Sequence, residues 1–141
     1  MGYGTFLGCT KLSFDSINLA KLTTLGENSF NGIKITKMSL PSLTTTTNWS
    51  YGHKTFGEYA YLKEISCPNL TSIGNHAFYD YSKLENIDIN WENITTLEYG
   101  AFANVPMSFD ELRLTSLQKM GNHVFNIAKI KKTASAVFFD C

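Results

Sequence analysis

The feature that most constrains this chain is a phenylalanine that returns at positions 6, 30, 56, 78, 102 and 125, at intervals of 24, 26, 22, 24 and 23 residues. An interval near 24 is far too long for a helix or strand period and marks a structural repeat. Eight residues before four of these rings an apolar residue opens a short tetrad: Leu22 to Leu25, Leu70 to Ile73, Ile94 to Leu97 and Leu117 to Met120. In a fifth copy Leu43 lies thirteen residues before Phe56, so five residues, Trp49 among them, are inserted. Phe6 closes a further, partial copy. Gly2, Gly26, Gly52, Gly74 and Gly121 each stand four residues before their Phe, and Glu98 alone breaks the column. A glycine so fixed predicts a tight turn with positive φ.

A second pattern fills the space between each Phe and the next tetrad. Apolar residues fall at i, i+3 and i+5 in Phe14-Ile17-Leu19, Ile35-Met38-Leu40, Leu62-Ile65-Cys67, Leu84-Ile87-Ile89 and Phe109-Leu112-Leu114, with Ala134-Val137-Phe139 as a weaker sixth copy. The last two members alternate with polar residues, which predicts one short half-buried strand per repeat. Pro41 and Pro68 follow directly, where a missing N–H does little harm. No single coil can bury its own apolar stripe, so the repeats must stack into a solenoid with one continuous core. The whole of residues 1–141 reads as one such domain, with coils near 1–19, 20–40, 41–67, 68–89, 90–114 and 115–141.

Composition narrows the function classes. Hydrophobic residues make up 43% and charged ones 17% of 141 residues, a globular balance. Twelve basic side chains against twelve acidic ones leave no electrostatic footprint for nucleic acid, and the apolar runs are too short for membrane insertion. The first residues show no basic and apolar leader pattern, and neither end reads as a polar cap, which predicts a piece of a longer chain or of an assembly. Cys9, Cys67 and Cys141 form neither a CxxC pair nor an even-numbered framework; the first two read as small buried hydrophobes.

The segment Leu62-Lys-Glu-Ile65-Ser-Cys67-Pro68-Asn-Leu70-Thr-Ser-Ile73-Gly74-Asn-His-Ala77-Phe78 resembles the BspA-like leucine-rich repeats of bacterial surface proteins almost residue by residue, and Phe6-Leu7-Gly8-Cys9 matches the end of that unit. The resemblance covers essentially the whole chain. It implies a β-rich, right-handed solenoid of about six coils with a parallel sheet on its concave face, a second short strand at each tetrad, and a turn or short helix near each Phe. It also implies an extracellular or cell-surface location.

Residues with catalytic potential are sparse. His76 and His123 hold the same repeat position two coils apart, so an inter-strand spacing of about 4.8 Å puts them roughly 10 Å from each other, too far to share a zinc ion. His53 sits one position earlier in the neighbouring coil. Glu85 with Asp88, and Asp110 with Glu111, are adjacent acids on a solvated face, and no phosphate loop, HExxH or EF-hand pattern occurs. No catalytic residue, metal or cofactor is expected. Asn48-Trp-Ser50, Asn69-Leu-Thr71 and Asn93-Ile-Thr95 fit the glycosylation sequon, two of them because the repeat itself spells it.

What remains is surface. The residue between the last two apolar strand positions should face solvent, giving a column of Asn18, Ser39, Ser66, Asp88, Arg113 and Phe138 beside Ser16, Lys37, Glu64, Asn86, Glu111 and Ala136. Such a face suits hydrogen bonding, and is equally what an ordinary solvated sheet looks like. Aromatics outside the repeat pattern add Tyr59, Tyr61, Tyr79 and Tyr81 in two adjacent coils, Trp49 in the five-residue insertion, and Trp91 in a two-residue insertion between Ile89 and Ile94. Insertions in solenoids build loops, and Tyr and Trp are enriched at recognition hot spots. The candidate partner-binding residues are therefore Trp49, Tyr59, Tyr61, Tyr79, Tyr81, Trp91, Asp88 and Arg113. Together with the resemblance they predict a non-catalytic module that binds a host or bacterial surface protein or glycan. The alternative is a structural repeat element of a larger assembly such as a phage tail or surface layer.

Overall fold

The computed structural model describes residues 1–48, 55–57 and 61–135. The first five i, i+3, i+5 segments each carry a short strand. β1 (Ser13–Asn18), β2 (Lys34–Ser39), β3 (Glu64–Ser66) and β5 (Asn86–Asp88) lie side by side in one parallel sheet, in that order. Three of the tetrads form a second parallel sheet of β4 (Ser72–Ile73), β6 (Thr96–Leu97) and β9 (Lys119–Met120), extended by a single bridge from Thr45 to Ser72, whereas the Leu22–Leu25 tetrad carries no strand. Parallel neighbours one repeat apart are what stacked coils must give, since each strand meets its equivalent in the next turn.

The phenylalanines lie between the sheets as a ladder of near-parallel rings. Phe56 and Phe78 stack at 4.9 Å, Phe78 and Phe102 at 4.8 Å, Phe102 and Phe125 at 5.7 Å, and Phe6 and Phe30 at 5.6 Å. The shortest of these equals the ordinary inter-strand spacing, so the rings follow the rise of the coils. Phe30, Phe56 and Phe78 are wholly buried, as are Leu40, Leu62, Leu70 and Ile73 around them. Backbone bonds tie the same turns together: Phe6 N–H donates to Ser29 O, Phe30 N–H to Thr55 O, Phe78 N–H to Ala101 O and Phe102 N–H to Val124 O. The segments around the Phe column are turns; the one helical element among the described residues is a single 3-10 turn at Trp91–Asn93.

The glycine column has a different cause from the one expected. Gly26, Gly74 and Gly121 do not have positive φ. A Cβ on Gly26 would lie 2.7 Å from the Gly2 carbonyl carbon, one on Gly121 2.5 Å from Tyr99 N, and one on Gly74 would overlap the Thr47 carbonyl. These glycines let one coil press its backbone onto the next. Left-handed residues stand two positions later, at Gly4, Asn28, His76, Gly100 and His123, with φ between 54° and 61°.

Two further expectations are corrected. β5 does not pair with β8 (Leu112–Leu114), because the 3-10 turn made by the two-residue insertion intervenes; β8 pairs instead with β11 (Thr133–Ser135) in a separate sheet. The sixth strand also arrives four residues early. Leu112 faces Thr133 rather than Val137, and the preceding pair, β7 (Ser108–Phe109) with β10 (Lys129–Ile130), sets Phe109 opposite Ile130 rather than Ala134. Backbone pairing thus prefers the continuous run after Lys129 to the sparser apolar match downstream. Ala136, Val137, Phe138, Phe139 and Cys141 lie outside the described residues.

Candidate functional site

Strand alternation turns one face of the first sheet to solvent, and four coils align it. Asn18, Ser39, Ser66 and Asp88 stand in register, with Ser16, Lys37, Glu64 and Asn86 as the parallel column two residues before. Beneath them Met38, Ile65, Leu40 and Cys67 point inward and are buried. The solvent columns are cross-linked from coil to coil. Lys37 Nζ lies 2.8 Å from Glu64 Oε1, and that bond and charge hold the lysine's pKa above its usual value. Ser66 Oγ donates to Asp88 Oδ2 at 2.6 Å. The strip is therefore a set of pre-positioned donors and acceptors of both signs.

Beyond Asp88 the strip is interrupted. Arg113 does not continue the column; its Nε donates to Glu92 Oε1 at 2.8 Å, and a second nitrogen approaches Glu111 at 3.7 Å. Glu92, part of the inserted turn, is a partner that repeat spacing could not reveal. Ile89, Trp91, Glu92, Glu111 and Arg113 surround a shallow depression of about 290 Å³ at this break.

Among the described residues, the aromatic candidates Tyr61, Tyr79, Tyr81 and Trp91 differ in exposure. Tyr61 is 41% exposed, with Lys34 Nζ 5.3 Å from its ring centre. Tyr79 is half-buried, set edge-on to His76, and its hydroxyl accepts a bond from Asn104 Nδ2 at 3.3 Å. Tyr81 is 1% exposed and belongs to the core. Trp91 is half-buried and wedged against Phe102, Phe109 and Phe125 at 5.3, 5.4 and 6.0 Å. A short insertion beside the open edge of β5 has apolar surface to cover, so the indole turns inward rather than forming a loop tip. Trp49, Tyr59 and His53 lie outside the described residues. Tyr99, 46% exposed, was not singled out by the sequence.

Burial, reinforced by the charge of Asp88, pushes the Cys67 thiol up to about 12, so it stays protonated and non-nucleophilic at neutral pH. Among the described residues no group of three or more His, Cys, Asp or Glu could hold a metal ion, and no helix is long and apolar enough to cross a membrane.

Stacked parallel coils, an inner ring ladder and a polar strand face define a leucine-rich-type β-solenoid. The chain belongs to the BspA-type leucine-rich repeat family: the model of the BspA type leucine rich repeat region matches residues 1–104 and 50–136, with six copies. No curated protein and no solved structure matches the chain. Repeats of this family are generally modules for protein interaction, typically non-catalytic and typically associated with cell surfaces.

Proposed function

We propose that this chain is a non-catalytic recognition module of a surface-displayed or secreted protein, and that a partner protein docks on its polar strand face for adhesion or recognition. The observation that carries the reading is the four-coil register of Asn18, Ser39, Ser66 and Asp88 beside Ser16, Lys37, Glu64 and Asn86. Side chains on paired strands lose little freedom on binding, and fixed charges of both signs, Lys37 with Glu64 and Asp88, favour one docking register over others. The break at Trp91 adds the Arg113–Glu92 pair at the edge of the same face.

The test compares the wild type with a Lys37→Ala/Asp88→Ala/Arg113→Ala variant, both immobilised, against purified host and bacterial surface proteins. The expected result is a partner that the wild type retains and the variant loses by about tenfold or more. Equal retention of every partner by both would remove the strand face from the function. A spacer role in a larger assembly predicts no retention by either.

A further inference from the structure

The first coil leaves open what the second and third coils bury. Phe14, Ile17 and Leu19 hold the repeat positions that Ile35, Met38 and Leu40 hold in the second coil, and Leu62, Ile65 and Cys67 in the third. Those six later residues are between 0% and 3% exposed. Phe14 is 37% exposed, and Ile17 and Leu19 are only half-buried. Leu12, just before the strand, is exposed as well.

The backbone is open on the same side. β1 heads its sheet and is hydrogen-bonded to β2, while its other edge pairs with no described strand. Such an edge is a template for a further strand, and folds ordinarily blunt it with lysine, proline or a bulge. Ser13–Asn18 contains neither lysine nor proline, follows β2 at one constant offset without a bulge, and carries a single charge, Asp15.

The sequence along this edge is also its own complement. Set antiparallel about a two-fold axis between Asp15 and Ser16, Leu12 faces Leu19 of the second copy, Phe14 faces Ile17, Ser13 faces Asn18 and Asp15 faces Ser16. Apolar residues meet apolar ones, polar residues meet polar ones, and no charge faces a like charge. Aromatic and β-branched residues are a favourable cross-strand pair. Moving the axis onto Ser16 would instead set Phe14 against Asn18, Asp15 against Ile17 and Ser13 against Leu19, so the register is specified.

We infer that two copies of this chain join head to head through their first coils, with β1 pairing antiparallel to β1 of the second copy. The interface is isologous, the same patch on both partners. It continues the first sheet across the axis and takes the apolar side chains of both end coils out of water. Both polar strand faces then lie on one side of the joined sheet, where a partner with repeated sites is held twice. That last consequence rests on the strand-face reading, and the pairing itself does not.

Sedimentation equilibrium of the full chain should show a dimer with a dissociation constant of about 10 μM or below. Leu12→Lys and Phe14→Glu, both at exposed positions, should each weaken it by about a hundredfold, with circular dichroism melts reporting that they fold. The double variant Leu12→Lys/Leu19→Glu places opposite charges across the axis in this register and should regain the dimer, a rescue that misfolding would not give. Ile127→Glu, at an exposed position in the last coil, should dimerise as the wild type does. The inference falls if the wild type stays monomeric up to about 1 mM. It falls equally if both first-coil variants still dimerise, if the double variant stays monomeric, or if Ile127→Glu abolishes the dimer. A peptide or a further coil as the occupant of β1 predicts the monomeric wild type. Loss of a protein partner in the strand-face variant would not touch the pairing.

Discussion

The Tyr81 hydroxyl accepts a hydrogen bond from the backbone N–H of Phe56 at 2.9 Å and donates to the Gly57 carbonyl at 3.3 Å. At Phe6, Phe30, Phe78 and Phe102 the equivalent N–H finds a carbonyl one coil along. Here a side chain from the following coil accepts from the Phe56 N–H, in a region where Phe56, Gly57 and Tyr81 are all buried. Tyr81→Phe keeps the ring and leaves a buried donor and acceptor without the hydroxyl. It should lower stability by about 1–3 kcal/mol in urea or thermal unfolding. Unchanged melting would show that the hydroxyl is dispensable.

Phe78 sits midway in the ladder, wholly buried between Phe56 and Phe102. Phe78→Ala should cost about 3–5 kcal/mol, enough to unfold a marginally stable solenoid, and circular dichroism melting reads it directly. A variant that melts with the wild type would mean that the rings do not carry the stack.

Glycines of one sequence column should respond unequally. Gly74→Ala drives a methyl group into the Thr47 carbonyl and should destabilise by roughly 1–3 kcal/mol. Gly2→Ala meets nothing within 4 Å and should be silent. Equal effects of the two would return the column to a turn requirement rather than close coil contact.

Cys67 links stability to alkaline pH. Its thiol moves from an ordinary 9.0 to about 12 on folding, chiefly through burial and then through Asp88. The folded state therefore holds the proton more tightly, and this contribution is complete below about pH 9 and lost as pH rises to about 12. Wild type should lose stability across that window more steeply than Cys67→Ala, measured as the difference between their denaturation midpoints at each pH. Parallel curves would contradict the burial of the thiol.

Trp91→Ala should behave as a core substitution. Removing the indole from its contacts with Phe102, Phe109 and Phe125 should cost on the order of 2–5 kcal/mol. Tyr61→Ala, at an exposed ring, should leave the melt within about 0.5 kcal/mol of wild type. The reverse ranking would put Trp91 on the surface and Tyr61 in the core.

The strand register was legible because two periodicities agree on it. Alternation assigns Ser39 and Ser66 to solvent and Met38 and Ile65 to the core, and the repeat aligns them across coils. Trp91 was not legible, since a two-residue insertion can loop outward or fold inward with the same spelling. Only the surface left open beside β5 decides the matter. Tyr81 looked like its neighbours Tyr59, Tyr61 and Tyr79, because its role depends on a backbone donor in another coil. The last strand misled because Val137 and Phe139 fit the apolar template better than the residues that pair.

The second sheet runs unbroken from β4 through β6 to β9, and Phe78, Phe102 and Phe125 stay stacked, across the very coils where β5 and β8 part. One flank of the stack is thus a spine and the other has a seam. Residues added at the seam change the outline presented to the outside without altering the pitch kept by the spine. The open flank can thus be re-cut, turn by turn, over the same backbone of rings.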